Sequence, residues 1–261
     1  MWEHNFKNIL ILGSDSGIWK MIEKKIICNF ENIIYFKRGN KIKKNYNKNN
    51  NVKYIYGDIS KKATLDRLDS LGLEGKSLVL NFAGVYGKPK LWQKDNFDNI
   101  ENNWSKNFNT YWSGITLLLN MQPHSTLIGF AGSGVGGIDI DFTNVGYLAS
   151  KSSIVLVNQA LSDEFEKLKL YSILISPGAY PTKMQEIVAK SNSKVAKKMK
   201  IAEAKENMLV TPNTKKLIEC LEIIANKPVV FNGKLVSAKF DNFEDYFNNP
   251  KIGKMFRSHD K

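Results

Sequence analysis

Short apolar runs alternate with longer amphipathic stretches along almost the whole chain. The runs cover Asn8–Leu12, Asn32–Phe36, Val52–Tyr56, Ser77–Phe82, Ser125–Ala131, Tyr171–Ile175 and Lys234–Ser237. Continuous apolar runs of this length suit strands buried on both faces, as in a parallel sheet. The stretches between them carry helical periodicity over Gly17–Cys28, Lys61–Leu71, Ile100–Met121, Val145–Lys167 and Pro212–Ala225. Thr211 as N-cap and Pro212 at the first helical position would start the last of these. Alternation of this kind predicts β-α units, hence an α/β fold with a doubly wound parallel sheet of about seven strands and helices on both faces. No repeat and no linker composition interrupts it, and residues 39–51 read as a solvated Lys/Asn-rich loop.

Length narrows this to one domain over residues 1–261, since 261 residues fill one large core and are short for two. None of the apolar runs approaches a membrane span. The N-terminus lacks the form of a signal peptide, because charge and then Gly13 interrupt its first apolar stretch. Cys28 and Cys220 are distant from each other, and with His4, His124 and His259 unpartnered at ligand spacing no metal site is expected. Free thiols point to a reducing, cytoplasmic location. The net charge of +13 raises the question of nucleic acid. Its lysines are scattered among asparagines and only three arginines occur, so an anionic small-molecule ligand accounts for the charge better.

The chemistry lies in a few ordered motifs. Tyr147 and Lys151 stand four apart in a predicted helix and share a face. An ammonium held there is expected to lower the phenol pKa and suit it to acid-base work on a carbonyl or hydroxyl. A second pair at that spacing, Tyr86 and Lys90, spans Pro89 in an expected loop, where no helix would align the two. Gly13-Ser14-Asp15-Ser16-Gly17-Ile18 follows the first strand and opens the first helix, as a pyrophosphate-binding turn does. Trp19 occupies the position where a third small residue is usual. Lys37 and Arg38 end the second strand, and no Asp or Glu occurs from Asn32 to Tyr56, which favours a ribose 2′-phosphate over a free 2′-hydroxyl. Asp58, followed by Ile59, could meet an adenine amino group or cap the next helix. Asn81-Phe82-Ala83-Gly84 closes the fourth strand with small residues suited to a ligand lying over the strand ends.

Taken in order, Gly13–Gly17, Asp58, Asn81–Gly84, Ser133, Tyr147–Lys151 and Pro177-Gly178 resemble the short-chain dehydrogenase/reductase family over nearly the whole chain. The resemblance implies a Rossmann-type fold, a nicotinamide cofactor (NADP before NAD) and a Ser-Tyr-Lys catalytic set. In it Tyr147 would exchange the proton, Lys151 would bind the nicotinamide ribose, and Ser133 would hydrogen-bond the reacting oxygen. Pro177, Gly178 and Thr182 would border the nicotinamide. Two departures stand out. The loop reads Gly132-Ser133-Gly134 without paired serines, and Tyr111 occupies the place of the family's helix asparagine, which leaves Asn109 as the candidate for that role.

The segment at about 179–210 is the expected substrate lid. It carries lysines 183, 190, 194, 197, 198, 200 and 205, which read either as a solvated helix face or as an attractor of anionic substrate. The resulting reading is an NADP-dependent oxidoreductase acting on a small anionic carbonyl compound, a sugar or nucleotide-sugar ketone. The Gly-Ser-Gly loop and the tail Gly233–Asp241 resemble relatives in surface-polysaccharide biosynthesis. Two alternatives remain, a 3-oxoacyl thioester reductase and a non-catalytic dinucleotide-binding regulatory protein. Apolar Trp112, Leu117, Leu156 and Val157 on the two long helices suggest a homodimer or homotetramer, or simply core burial.

Overall fold

Seven strands form one parallel sheet in the order β3-β2-β1-β4-β5-β6-β7. They are β1 (Asn8–Leu12), β2 (Asn32–Lys37), β3 (Val52–Tyr56), β4 (Ser77–Asn81), β5 (Thr126–Phe130), β6 (Tyr171–Ser176) and β7 (Leu235–Ser237). The computed structural model describes residues 6–39, 52–69, 71–90, 95, 97–131, 144–178, 180–190 and 213–249. Ser133, the Lys/Asn-rich stretch from residue 40, and most of the expected lid therefore lie outside the described residues.

Each strand serves two cores. Ile9 and Ile11 of β1 face one side with α1 (Gly17–Ile26) and the C-terminal helices; Leu10 and Leu12 face the other. That second side is covered by α2 (Lys62–Asp69), α3 (Phe97–Leu119), α4 (Val145–Ala160) and α5 (Ser162–Lys167). Both faces of β1 and β4 are fully buried, which is why these strands read as unbroken apolar runs. The strand order reverses between β1 and β4. A crevice outside the carboxyl ends of the strands at that point is where α/β sheets of this type receive ligands.

Two helical expectations change. The predicted Val145–Lys167 helix is broken at Leu161 into α4 and α5. Just past this point the Asn232 side chain donates to the Ser162 carbonyl at 2.7 Å, and the Ser162 hydroxyl donates to Gln159 O at 2.8 Å. After α6 (Lys183–Ala189), helix α7 runs over Thr214–Asn226 and is capped by Asn213, whose Oδ1 accepts from Lys216 N at 2.9 Å, not by Thr211 with Pro212. Thr211 and Pro212 lie outside the described residues. Short helices α8 (Pro228–Phe231) and α9 (Phe243–Asn248) complete the chain's described part.

Helices α3 and α4 pack along one another and approach closely at their N-terminal turns. A Cβ on Gly146 would collide with the Ile100 carbonyl, so only glycine lets the turn before Tyr147 approach α3 this closely.

Candidate active site

The ends of β1, β4, β5 and β6 converge on one edge and bring the motifs together. Gly13, at φ +76°, turns the chain out of β1 beneath β4, where a Cβ would stand 2.7 Å from Ala83 N. Ser14 is buried, and both its N–H and its hydroxyl donate to Phe36 O, so its side chain anchors the turn to β2. Ser16 is the N-cap of α1 but makes no side-chain capping bond. Ile18 is half-buried on the α1 core, and Thr182 packs its methyl over Gly17. Thr182 also caps α6, its Oγ1 accepting from Gln185 N. Pro177 and Gly178 follow β6, with Gly178 at φ +91°.

Trp19 does not cover the glycine turn. It is fully buried beneath the sheet, 5.7 Å from the Phe82 ring and 6.4 Å from Tyr35. The indole fills the space against the strands that a small residue would leave, and the turn stays clear of it.

At the β2–β3 end of the crevice, Arg38 is exposed just past β2, while the Lys37 ammonium lies 5.0 Å over the Tyr54 ring. Asp58 accepts from the Ser60 amide at 3.0 Å and the Ser60 hydroxyl at 2.8 Å, and Ile59 is buried. Partial burial pushes the Asp58 carboxyl up, but the Ser60 hydrogen bonds and the positive Lys61 and Arg38 outweigh it and hold the group below its ordinary value. Asp58 thus closes the turn into α2. Asn81 is structural: its Nδ2 donates to Thr110 O at 2.9 Å and its Oδ1 accepts from Ala83 N at 3.1 Å, fixing the turn that presents Ala83 and Gly84.

Tyr147 and Lys151 lie on the inner face of α4. The Lys151 ammonium donates to Phe130 O at 3.0 Å and lies 5.5 Å from the Tyr147 ring centroid. Tyr147 packs against the Tyr86 ring at 5.0 Å and points its hydroxyl toward Met184 Sδ at 3.9 Å. Here an expectation is reversed. Burial pushes the Tyr147 phenol up to about 12, because it penalises the phenolate, and pushes the Lys151 ammonium down to about 8. The neighbouring charge does not overcome the desolvation of both groups. Tyr86 lies in a loop as expected, so its spacing to Lys90 has no helical meaning.

The helix asparagine is also corrected. Asn109 is exposed, whereas Asn107, two residues earlier, is buried and inward. Asn107 Oδ1 accepts from Val85 N at 2.9 Å and its Nδ2 donates to Val85 O at 2.8 Å. A Cβ placed on Gly84 would stand 3.1 Å from Asn107 Oδ1 and 3.9 Å from Lys151 Nζ, which puts both side chains at the same point of the crevice. Tyr111 instead donates from its buried hydroxyl to Asn158 Oδ1 at 2.9 Å and belongs to the core. The signal for Asn107 was present: Asn103, Asn107, Thr110 and Gly114 repeat at helical spacing and mark the polar, small face of α3.

The fold and site define a Rossmann-type α/β architecture with a Tyr-Lys pair at the carboxyl edge of its sheet. No protein-family model and no curated protein matches the sequence. Solved structures do match its fold, and they are consistently short-chain dehydrogenases/reductases. One such protein from Saccharomyces cerevisiae superposes with a TM-score of 0.74 at 18% identity, over 92% of this chain and 99% of its own. One from Francisella tularensis gives a TM-score of 0.65 at 17% identity, over 89% and 96%. A 3-ketoacyl-(acyl-carrier-protein) reductase from Brucella melitensis, complexed with NADH, gives 0.67 at 17% identity, over 90% and 97%. At these identities the likeness is one of fold: the chain has the seven-stranded parallel Rossmann-type architecture of these proteins. No helix among the described residues is long and apolar enough to cross a membrane.

Proposed function

We propose that the protein is a nicotinamide-dinucleotide-dependent oxidoreductase acting on a carbonyl/alcohol pair. The observation that carries this reading is the convergence of Tyr147, Lys151 and Asn107 on the edge of the sheet that also holds the glycine turn. A dinucleotide fits the residues present. Gly13 leaves backbone room beside Ala83, the N-terminus of α1 with uncommitted Ser16 suits a pyrophosphate, and Asp58 and Ile59 border the adenine. When bound, the nicotinamide supplies or accepts the hydride.

The chain's own residues handle the proton. Tyr147, protonated throughout the neutral range, donates to the carbonyl oxygen in the reductive direction. Lys151, cationic below about pH 8, holds the ribose and favours the departing proton's charge separation. Ser133 would donate a second hydrogen bond to the reacting oxygen, and Pro177, Gly178 and Thr182 would confine the nicotinamide.

NADP is the preferred form because Arg38 stands exposed where a 2′-phosphate would lie and no acidic residue occurs on β2. A calorimetric titration tests this. Wild type is expected to bind NADPH more tightly than NADH, and Arg38→Ala to weaken NADPH binding about tenfold or more with little change for NADH, as expected for a lost charge-assisted contact. Equal loss for both nucleotides would overturn the 2′-phosphate assignment.

The substrate of this reading is a small anionic carbonyl compound, with Lys183 of α6 and Lys190 just past its end exposed to solvent. A sugar or nucleotide-sugar ketone is one form, and its tie to surface-polysaccharide biosynthesis rests on sequence resemblance alone. A 3-oxoacyl thioester is the second, favoured by the apolar Tyr86 ring and Met184 beside the Tyr147 hydroxyl. NADPH oxidation with each class separates them. A non-catalytic dinucleotide-binding protein loses one of its supports, since Trp19 lies in the core.

The same reading includes a homodimer or homotetramer. Leu117 is buried and Val157 packs on the core, so these two need no partner. Trp112 and Leu156 are 45% and 49% exposed, and Trp104, Phe108 and Trp112 stack along α3 with neighbouring ring centroids 5.1 and 6.2 Å apart. Sedimentation of wild type is expected at two or four times 29.6 kDa and of Trp112→Asp at the single-chain mass; a monomeric wild type would sink the assembly.

A further inference from the structure

We propose that Asn144 and Asn103 are a positioning pair that locks the N-terminus of the Tyr147 helix to the loop bearing Tyr86, and so sets where the Tyr147 hydroxyl stands. The inference rests on the oxidoreductase reading above. Asn144 is the N-cap of α4, its Oδ1 accepting from Tyr147 N at 3.1 Å. Capping alone would leave the rest of the side chain idle. Instead, the same Oδ1 accepts from Asn103 Nδ2 at 2.5 Å, while Asn144 Nδ2 donates to Tyr86 O. Asn103 Nδ2 also donates to Tyr86 O, at 2.9 Å.

The chain of bonds continues toward the lysine. Asn107 Nδ2 donates to Asn103 O at 2.8 Å and reaches Asn103 Oδ1 at 3.2 Å. An unbroken amide network therefore runs from Asn107, beside Lys151, to the backbone of Tyr147. It ties α4 to α3 and to the loop after β4 across 41 and 58 residues of sequence. Its carbonyl anchor, Tyr86, lays its ring on the Tyr147 ring. Gly146 admits the close approach that the network spans.

A buried network of this kind is favourable only when every member is satisfied, and it then holds one geometry. A helix that needed only its cap would do equally well with serine, which ranks beside asparagine as an N-cap. Asparagine is distinguished here by its second arm, which reaches Tyr86. The network thus acts on the phenol through position, since proton transfer depends steeply on donor placement.

Asn144→Ser separates the two roles, because serine keeps a neutral cap acceptor and loses the arm to Tyr86. NADPH oxidation would be followed with ethyl 3-oxobutanoate, phenylglyoxal and a free keto-sugar, beside thermal melting and NADPH titration. Expected for Asn144→Ser is a melting temperature and NADPH affinity close to wild type, with kcat lower by about tenfold or more on whichever carbonyl wild type reduces. KM should change little, and the pH at which kcat falls to half should shift. Asn103→Ala should reproduce the loss, and the double variant should lose little more than either single one, as for groups acting as a unit. If kcat and its pH profile stay at wild-type values in both single variants, or follow the melting temperature alone, the positioning role is wrong while the enzyme reading stands. A wild type that reduces none of the carbonyls would instead refute the oxidoreductase reading, and this inference with it.

Discussion

Tyr147→Phe is expected to lower turnover by about 10² to 10⁴-fold while leaving NADPH affinity nearly unchanged, the usual range for loss of a positioned acid or base. The phenylalanine ring keeps the packing against Tyr86 and removes only the hydroxyl near Met184 Sδ. Burial holds the phenol at about 12, so at neutral pH it is protonated and ready to donate. The reductive rate of wild type should accordingly stay level through neutral pH. The oxidative rate, which needs phenolate to accept the proton, should climb with pH toward the phenol's pKa. Steady-state kinetics in both directions across pH would check this. A Tyr147→Phe enzyme with full activity would remove Tyr147 from the chemistry, whatever the fate of the fold.

Lys151→Met has two expected effects of opposite value. Turnover and NADPH affinity should both fall, since the ammonium aimed at the crevice is gone. Stability at neutral pH should not fall with them. Lys151 is 7% exposed, and burial lowers its pKa from 10.5 to about 8, a difference of roughly 3 kcal/mol by linkage. Methionine removes that penalty but leaves Phe130 O without the lysine's hydrogen bond, a loss of about 1–3 kcal/mol. A near-neutral or slightly positive balance results.

The sign of the pH dependence discriminates better than the balance. Below about pH 8 the ammonium is charged in both folded and unfolded chains, and its burial penalty is present in full. Between about pH 8 and 10 the unfolded chain binds the extra proton, so the wild-type unfolding free energy should rise by about 2 kcal/mol from this group. Above pH 10 the raised pKa of Tyr147 opposes it, because the unfolded phenol ionises first. The buried Cys220 thiol and the other tyrosines held above their ordinary values pull stability down over the same interval in both proteins. Denaturant unfolding at about pH 8 and pH 10 should therefore show the rise of about 2 kcal/mol as the difference between wild type and Lys151→Met. A wild-type-minus-variant difference that stays flat over that interval would mean that Lys151 is not desolvated as described.

What could be read without the structure follows from range. All seven strands fall within a residue or two of the positions set by the apolar runs, because a strand buried on both faces must be apolar over its own length. The glycine turn and the Tyr147–Lys151 pair were legible for the same reason. Their geometry is fixed by the next few residues, through φ > 0 at Gly13 and one helical turn in α4.

Features that depend on how elements meet were not legible. Asn107 and Asn109 are both helical and both polar, and only the rotation of α3 against β4 selects Asn107. Trp19 stands beside the glycine turn in sequence, where a third small residue is usual, yet the packing of α1 sends it into the core. The Asn232 side chain that meets Ser162 beside the break comes from 70 residues away in sequence.

The sequence by itself determined the α/β class, the strand positions and the phenol and ammonium that share a helix face, since each is a local consequence of side-chain periodicity. Only the tertiary structure decided the sign of the phenol's shift, the asparagine that faces Lys151 and the amide chain from Asn103 to Asn144, 41 residues apart. Those depend on burial and on contacts between distant segments, and neither desolvation nor a long-range hydrogen bond leaves a period in the chain.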